Sequence, residues 1–138
     1  MLNENRNEEQ GMNVECIAGP DFPQTMGPYS QATRAGQLIF CAGQGGADPA
    51  TGKLAVGDIR AQTRQTILNL QMILRAAGSD LTHVAMVTVL LHDWKYFDGM
   101  NEVFAEYFGQ KPPARSTICG ERRPEGALVA MSAVAVTK

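Results

Sequence analysis

The sequence has few of the residues that build metal sites and disulfide frameworks. It contains 3 cysteines and 2 histidines among 138 residues. Three cysteines cannot all pair within one chain, and Cys16, Cys41 and Cys119 lack the close spacing of a zinc or redox motif. His83 and His92 have no cysteine at ligand spacing, and neither fits a Ser-His-Asp triad. We therefore expect free thiols and no metal site.

Strong charge and long apolar runs are missing as well. The net charge is -2, and Arg122-Arg123 is the sole adjacent basic pair, whereas nucleic-acid binders usually carry a basic stripe. No apolar run approaches the ~20 residues that cross a membrane. Residues 1–10 are rich in Asn and Glu and lack the apolar stretch of a signal peptide. These absences predict a cytoplasmic protein that has neither a membrane segment nor a nucleic-acid partner.

What is present suits one globular domain. Domains most often contain roughly 100–150 residues, and apolar residues make up 44% of this chain. Residues 1–12 are polar and show no apolar period, so we expect a flexible N-terminal tail. Residues 13–138 are expected to form a single domain.

The first half of the domain shows patterns of a strand and a long helix. Residues 36–44 form a short apolar run between glycines, which is typical of a buried strand. A turn is predicted at residues 48–52, and Asp58 is a plausible N-cap. Gly78 is placed to end the helix. The apolar face of this helix consists of Ile59, Ile67, Leu70, Ile73, Leu74 and Ala77.

The second half adds a strand, a helix and two more strands. Residues 82–92 are apolar and β-branched, as in a central strand that is covered on both faces. A helix with Phe97, Met100, Phe104, Tyr107 and Phe108 at helical spacing follows, and it stops at Gly109 and the Pro112-Pro113 pair. The last two strands are predicted at 115–120 and 127–136, with a polar loop at 121–126.

This order of elements predicts two helices on one face of a single sheet. The other face carries apolar residues and needs a cover, which a chain of this length has no spare element to provide. Self-association is the natural solution.

Two residues are candidates for a binding site. Arg115 follows two prolines at the mouth of a strand, and its planar fork of donors matches a carboxylate. Tyr29 lies in a Gly-Pro turn, where its hydroxyl could face a pocket. A surface ion pair for Arg115 and simple ring packing for Tyr29 remain the alternatives at this point.

A spaced set of motifs resembles the RidA (YjgF-like) family. The resemblance covers about residues 14–137, and the whole set in this order is far more specific than any one piece. The matching segments are 27–32 (GPYSQA), 42–44 (AGQ), 48–52 (DPATG), 61–65 (AQTRQ), 69–70 (NL), 76–78 (AAG), 101–103 (NEV) and 113–117 (PARST).

The resemblance implies a chorismate-mutase-like α+β fold, with two helices on a mixed sheet and a homotrimer that has clefts between its subunits. It also implies hydrolysis of 2-aminoacrylate-like enamine or imine acids to 2-oxo acids and ammonia, without a metal or organic cofactor. By position, Arg115 and Tyr29 would be the catalytic residues: Arg115 would hold the substrate carboxylate and Tyr29 would line the pocket. Asn101 would help to shape the pocket across the interface, and Gly43 would offer backbone close to the substrate. Thr117 and Ala130 occupy two further substrate-site positions.

The sequence departs from the family pattern on its last strand. The archetype carries a glutamate that positions the attacking water fifteen residues after the clamp arginine, and this chain has Ala130 there. Ser132 and Thr117 replace a second glutamate and a cysteine that are frequent in the family. Glu121 and Glu125 could substitute, or they could be solvated loop charges.

Three functions therefore remain open. The first is a divergent deaminase, and the second is a protein that binds a small carboxylate without chemistry. The third, an endoribonuclease or translation inhibitor, follows from older labels in the family and is disfavoured by the weak basic character. A carboxylate near Arg115 in the assembled protein would favour the enzyme.

Overall fold

The computed structural model describes residues 13–121 and 124–138. The predicted N-terminal tail and two residues of the predicted loop 121–126 lie outside the described residues. The elements, in chain order, are β1 (Val14–Ile17), β2 (Ala32–Ala35), β3 (Leu38–Gly45), α1 (Ile59–Ala76), β4 (Val84–Leu91), α2 (Phe97–Phe108), β5 (Ala114–Cys119) and β6 (Val129–Val136).

The strands form one mixed sheet in the order β1-β2-β3-β6-β4-β5. Strands β4 and β5 pair in parallel, and the other neighbouring strands pair antiparallel. A parallel pair needs a crossover connection, which α2 provides between β4 and β5. Both helices pack on one face of the sheet, so the predicted α+β architecture is confirmed.

Helix α1 begins and ends where its sequence predicts. The Asp58 carboxylate caps it by accepting hydrogen bonds from the backbone N–H groups of Arg60 and Ala61, at 3.0 and 3.3 Å. At the other end Gly78 takes a positive φ of 85°, which a residue without Cβ adopts without strain. All six residues of the predicted apolar face are buried. Burial stabilises the fold by about 1.5–3 kcal/mol for each large aliphatic side chain.

Helix α2 also matches its prediction. Asp93 caps the 3₁₀ turn Trp94–Tyr96 that leads into the helix, accepting from the Lys95 N–H at 2.8 Å. Met100, Phe104 and Phe108 are buried against α1 and the sheet. The helix thereby lays an apolar, aromatic face over the β5 edge of the sheet.

The beginning of the sheet differs from the prediction. Strand β3 starts two residues later than expected, because Gly36 and Gln37 form the two-residue turn of a hairpin in which Ala35 pairs with Leu38. Gly36 has a φ of 60°, which such a turn requires at its first position. Strands β1 and β2 escaped prediction because each has only four residues, and β1 is mostly exposed and shows no apolar pattern.

The face of the sheet opposite the helices is open in this chain. Leu38, Phe40, Ile118 and Val136 have 36% to 53% of their surface exposed there. In β4 the residues Val87, Val89 and Leu91 are buried beneath the helices, whereas the alternate residues are half-buried. We predicted that this strand is covered on both faces. Within a single chain, only the face beneath the helices is covered.

Among residues 13–121 and 124–138, neither helix has the length and apolarity to cross a bilayer.

Candidate functional site

A cleft of about 430 Å³ opens at one end of the sheet, where β3 ends and β6 begins. Its lining includes Tyr29, Gly43, Glu121 and Ala130, and we call it the Tyr29 cleft. Three of these residues were predicted site residues, and Glu121 was a possible substitute for the missing carboxylate. The structure thus brings four sequence-derived candidates together in one chain.

A β-bulge places Gly43 at the cleft surface. Cys41 pairs with Ala133 and Gln44 pairs with Met131, so β3 carries one more residue than β6 between these pairs. Such a bulge bends a strand and redirects its side chains, and bulges are frequent beside functional sites. No atom lies within 4 Å of the position that a Cβ on Gly43 would occupy. The backbone at Gly43 is therefore bordered by open cleft.

Two buried glutamines form the floor of the Tyr29 cleft. The Gln44 amide donates to the side-chain oxygen of Gln31 at 2.8 Å, and the Gln31 amide donates to the carbonyl of Pro23. The backbone N–H of Ala42 donates to the carbonyl of Gln31 at 2.9 Å. This network ties the loop before β2 to the bulged strand, so the shape of the cleft depends on amide pairing beneath it.

Helix α1 holds the other walls of the cleft through two more buried amides. Gln62 donates to the carbonyl of Gly126 and accepts from the N–H of Leu128, both at 2.8 Å. Asn69 donates to the carbonyls of Gly45 and Ala47, at 3.0 and 2.8 Å. Both segments border the cleft, so these polar positions on an otherwise apolar helix are anchors for loops.

Tyr29 lies at the rim of the cleft and is half exposed. Its hydroxyl oxygen accepts a hydrogen bond from the backbone N–H of Met26 at 3.2 Å. The ring is thus fixed by its own turn, and the hydroxyl retains a proton that it can donate into the cleft.

Arg115 lies elsewhere, in a groove of about 300 Å³ that it shares with Asn101, Phe104 and Pro113. We call this the Arg115 groove. The guanidinium carbon is 4.8 Å from the ring centroid of Phe104 and 5.7 Å from that of Phe97. Attraction between the cation and these two aromatic rings stabilises the guanidinium at this position.

The Arg115 cation is half-buried and has no acidic partner among the described residues. Burial lowers its pKa from the ordinary value, but an arginine stays charged at any working pH. The alternative of a surface ion pair is therefore not seen within the described chain. A half-buried cation without a counter-charge is suited to receive an anion.

Asn101 adds an unpaired acceptor to the same groove. Its side-chain oxygen is buried and has no hydrogen-bond donor in the part of the chain that the structure describes. A buried polar atom without a partner costs about 1–3 kcal/mol. A donor from outside this chain would remove that cost.

The two sites are separate within one chain. Ala130 of β6 pairs with Leu90 of β4, and Leu90 pairs with Ile118 of β5. Arg115 is three residues before Ile118, so it lies two strands across the sheet and three residues along it from Ala130. At ordinary strand spacings this separation is roughly 14 Å. Arg115 and Thr117 pair with Val87 and Val89 and so face the helices. Ala130 alternates with buried residues of β6 and faces the opposite side.

The predicted site residues therefore fall into two groups. The first is Tyr29, Gly43 and Ala130 in the Tyr29 cleft, and the second is Arg115 and Asn101 in the Arg115 groove, with Thr117 on the same face of β5. The described residues contain no group of three or more His, Cys, Asp and Glu side chains positioned to bind a metal ion.

Comparison with known proteins places this arrangement in a family. The model of the family described as Endoribonuclease L-PSP matches residues 20–137. The chain belongs to that family. It is the RidA (YjgF-like) family that the sequence motifs resemble, so that prediction is confirmed.

Individual relatives cover most of the chain. A RutC family protein of Pyrococcus horikoshii is 47% identical over 121 residues, which are 88% of this chain and 96% of that protein. A 2-iminobutanoate/2-iminopropanoate deaminase of Bos taurus is 40% identical over 122 residues, covering 88% of this chain and 89% of that protein. The crystal structure of Escherichia coli TdcF with bound serine has a TM-score of 0.83 and 29% identity, and the match covers 90% of this chain and 99% of that one.

The sequence-based interpretation missed the polar framework of the site. Gln31 and Gln44 lie inside the segments 27–32 and 42–44 that carry the resemblance, but no role was assigned to them. Gln62 and Asn69 interrupt the apolar period of α1, and a polar residue on a buried helical face is a signal of an internal hydrogen bond. That signal was available in the sequence.

Proposed function

We propose that the protein hydrolyses small 2-imino or 2-enamino acids to 2-oxo acids and ammonia. Family membership and the imine deaminases among its relatives support this at the level of the family. The observation that carries the proposal for this chain is Arg115, a half-buried guanidinium stacked on two rings with no acidic partner among the described residues.

Arg115 binds the substrate carboxylate in this proposal. Two parallel charge-assisted hydrogen bonds from a planar fork fix both the position and the orientation of a carboxylate. The bound serine of TdcF is an amino acid with such a carboxylate, and an imino acid presents the same group. Asn101 accepts a hydrogen bond from the substrate nitrogen or from a neighbouring subunit, which satisfies its unpaired oxygen.

The complete site requires a second copy of the chain. Ala130 lies roughly 14 Å from Arg115 on the other side of the sheet, and Tyr29 and Gly43 line the same cleft as Ala130, so one small molecule cannot contact this cleft and Arg115 of the same chain together. A homotrimer in which the Arg115 groove of one subunit faces the Tyr29 cleft of the next would join the two halves. It would also cover the apolar open face around Phe40 and Ile118.

The main contribution of the protein to this reaction is to orient the substrate and a water molecule. The carbon of an iminium ion is already electrophilic, so a site that holds the carboxylate and places one water accelerates hydrolysis. Tyr29 contributes a hydroxyl donor at the rim, and the exposed backbone of Gly43 lets the substrate lie close to the chain.

The test is a coupled assay with 2-iminobutanoate and 2-aminoacrylate generated in place by a dehydratase. Formation of 2-oxo acid is followed with and without the protein. Arg115→Ala should lower kcat/KM roughly 10²–10⁴-fold, since two charged hydrogen bonds of about 1.5–3 kcal/mol each are lost. Arg115→Lys keeps the charge but not the fork and should recover only part of the rate. Arg75→Ala, at an exposed arginine outside both sites, is the matched control.

Acceleration that disappears in Arg115→Ala and persists in Arg75→Ala supports the proposal. Absence of acceleration by folded wild-type protein refutes it for these substrates. Calorimetric binding of 2-oxobutanoate without any acceleration would indicate a carboxylate-binding protein instead. RNA cleavage that is unchanged in Arg115→Ala would indicate a ribonuclease activity that does not use the Arg115 groove.

A further inference from the structure

The Tyr29 cleft contains a carboxylate that the family pattern does not assign. We propose that Glu121 is the general base that activates the attacking water, an inference that rests on the deaminase function proposed above. Among the described residues that line the cleft, Tyr29 and Glu121 are the ones with side chains that titrate. Glu121 forms no ion pair with any described residue.

The fold delivers Glu121 to the cleft from the end of β5. Cys119 pairs with Leu91, and Leu91 pairs with Val129 at the beginning of β6. The N–H of Gly120 then donates to the carbonyl of Leu91 at 2.9 Å, which fixes the chain one residue before Glu121. This register places Glu121 at the same end of the sheet as Val129, on the rim of the Tyr29 cleft.

Ala130 leaves room for a carboxylate that comes from another segment. Its side chain is a single methyl group, and it lines the same cleft as Glu121. Ala130 thus provides no carboxylate to the Tyr29 cleft, and Glu121 provides one from the loop after β5.

The other polar groups of the cleft are poorer bases. The hydroxyl oxygen of Tyr29 already accepts a hydrogen bond from Met26, and a neutral phenol does not take up a proton near neutral pH. Gln31 and Gln44 are amides bonded to each other. Glu121 and Glu125 are both exposed, but only Glu121 lines the cleft, and this separates the two carboxylates.

Glu121 takes up one proton and returns it in the proposed hydrolysis. A water oxygen bonds to C2 of the iminium acid while one water proton moves to the Glu121 carboxylate, giving a neutral carbinolamine. Glu121 returns the proton to the nitrogen, the C–N bond breaks and ammonia leaves with the electron pair. The hydroxyl proton is then lost as the carbonyl forms and is taken up by ammonia, so the products are a 2-oxo acid anion and ammonium.

Glu121→Gln tests this role, because it keeps the shape of the side chain and removes its basicity. General-base assistance is typically worth about 10²–10⁴-fold, so kcat should fall by that factor while KM changes little. Glu125→Gln, an identical substitution in the same loop, should leave kcat unchanged.

A rescue variant separates loss of a base from loss of structure. Ala130→Glu combined with Glu121→Gln supplies a carboxylate from β6 to the same cleft and should restore a large part of kcat. A Glu121→Gln protein that retains wild-type kcat overturns the role of Glu121 and leaves the deaminase proposal standing. A wild-type protein that gives no acceleration overturns both together.

Discussion

Replacing Gln62 by methionine should destabilise the protein by about 2 kcal/mol, because it removes two buried hydrogen bonds of about 0.5–1.5 kcal/mol each. Gln62 is 4% exposed and bridges α1 to the loop before β6, donating to Gly126 and accepting from Leu128 at 2.8 Å each. Methionine has a similar length and helix propensity, so it leaves neither a large cavity nor a weaker helix. Gly126 is exposed and its carbonyl can turn to water, whereas the half-buried N–H of Leu128 loses its acceptor.

Urea unfolding would measure this loss. It is carried out at one fixed protein concentration, since the stability of the proposed trimer would depend on concentration. The control is Gln71→Met, the same substitution on the same helix at a half-buried glutamine whose side chain makes no hydrogen bond to the described residues. It should change the free energy of unfolding by less than about 0.5 kcal/mol. Hydrogen exchange at the Leu128 amide should also accelerate in Gln62→Met and not in Gln71→Met.

Equal stabilities of the two variants would refute the reasoning, since they would show that the two bonds to Gln62 contribute nothing net. Unchanged exchange at Leu128 would refute it independently, because that amide donates directly to the Gln62 side chain.

Two further predictions concern ionisable groups. Burial raises the pKa of Cys41 to about 12. At pH 8, iodoacetamide should therefore alkylate the exposed Cys16 and leave Cys41 unmodified until urea is added. Equal labelling of both cysteines in native protein, measured by mass spectrometry, would contradict the burial of Cys41. Hydrogen bonds from Thr82, His83 and Lys138 hold the pKa of Asp80 well below its usual range, so Asp80 stabilises the fold above pH ~4, and this stabilisation is lost as pH falls further. Asp80→Ala should therefore cost about 1 kcal/mol at pH 7 and less at pH 3 in urea titrations; an equal loss at both would show that the charge is irrelevant.

The helices and long strands could be predicted from sequence because local signals decide them. The Asp58 cap, the apolar period of α1 and the positive φ at Gly78 are each determined within one turn of helix. The Gly109 and Pro112-Pro113 stops of α2 are equally local. Strands β1 and β2 carry no such signal, because these two four-residue segments are stabilised by pairing, β1 with β2 and β2 with β3, rather than by their own pattern.

The candidate site could be predicted only as a set of residues. The motifs around Tyr29, Gly43 and Arg115 predict a candidate chemistry, but the separation of Arg115 from the others depends on strand order and on which face each residue takes. Both are non-local properties. The last strand in the sequence, β6, lies in the middle of the sheet between β3 and β4, and no local pattern predicts this position. The choice between Glu121 and Glu125 likewise depends on the path of a loop, and both look alike in the sequence.

If the Arg115 groove of one subunit meets the Tyr29 cleft of the next, their separation within one chain has a consequence for defective alleles. Under the proposed function, a chain that lacks Arg115 and a chain that lacks Glu121 would each lose most of their activity alone, but they damage different halves of the site. In a head-to-tail ring of three made from both kinds of chain, one junction always joins an intact groove to an intact cleft. Two defective alleles would then complement each other in one cell, as they would not if each subunit contained a whole site.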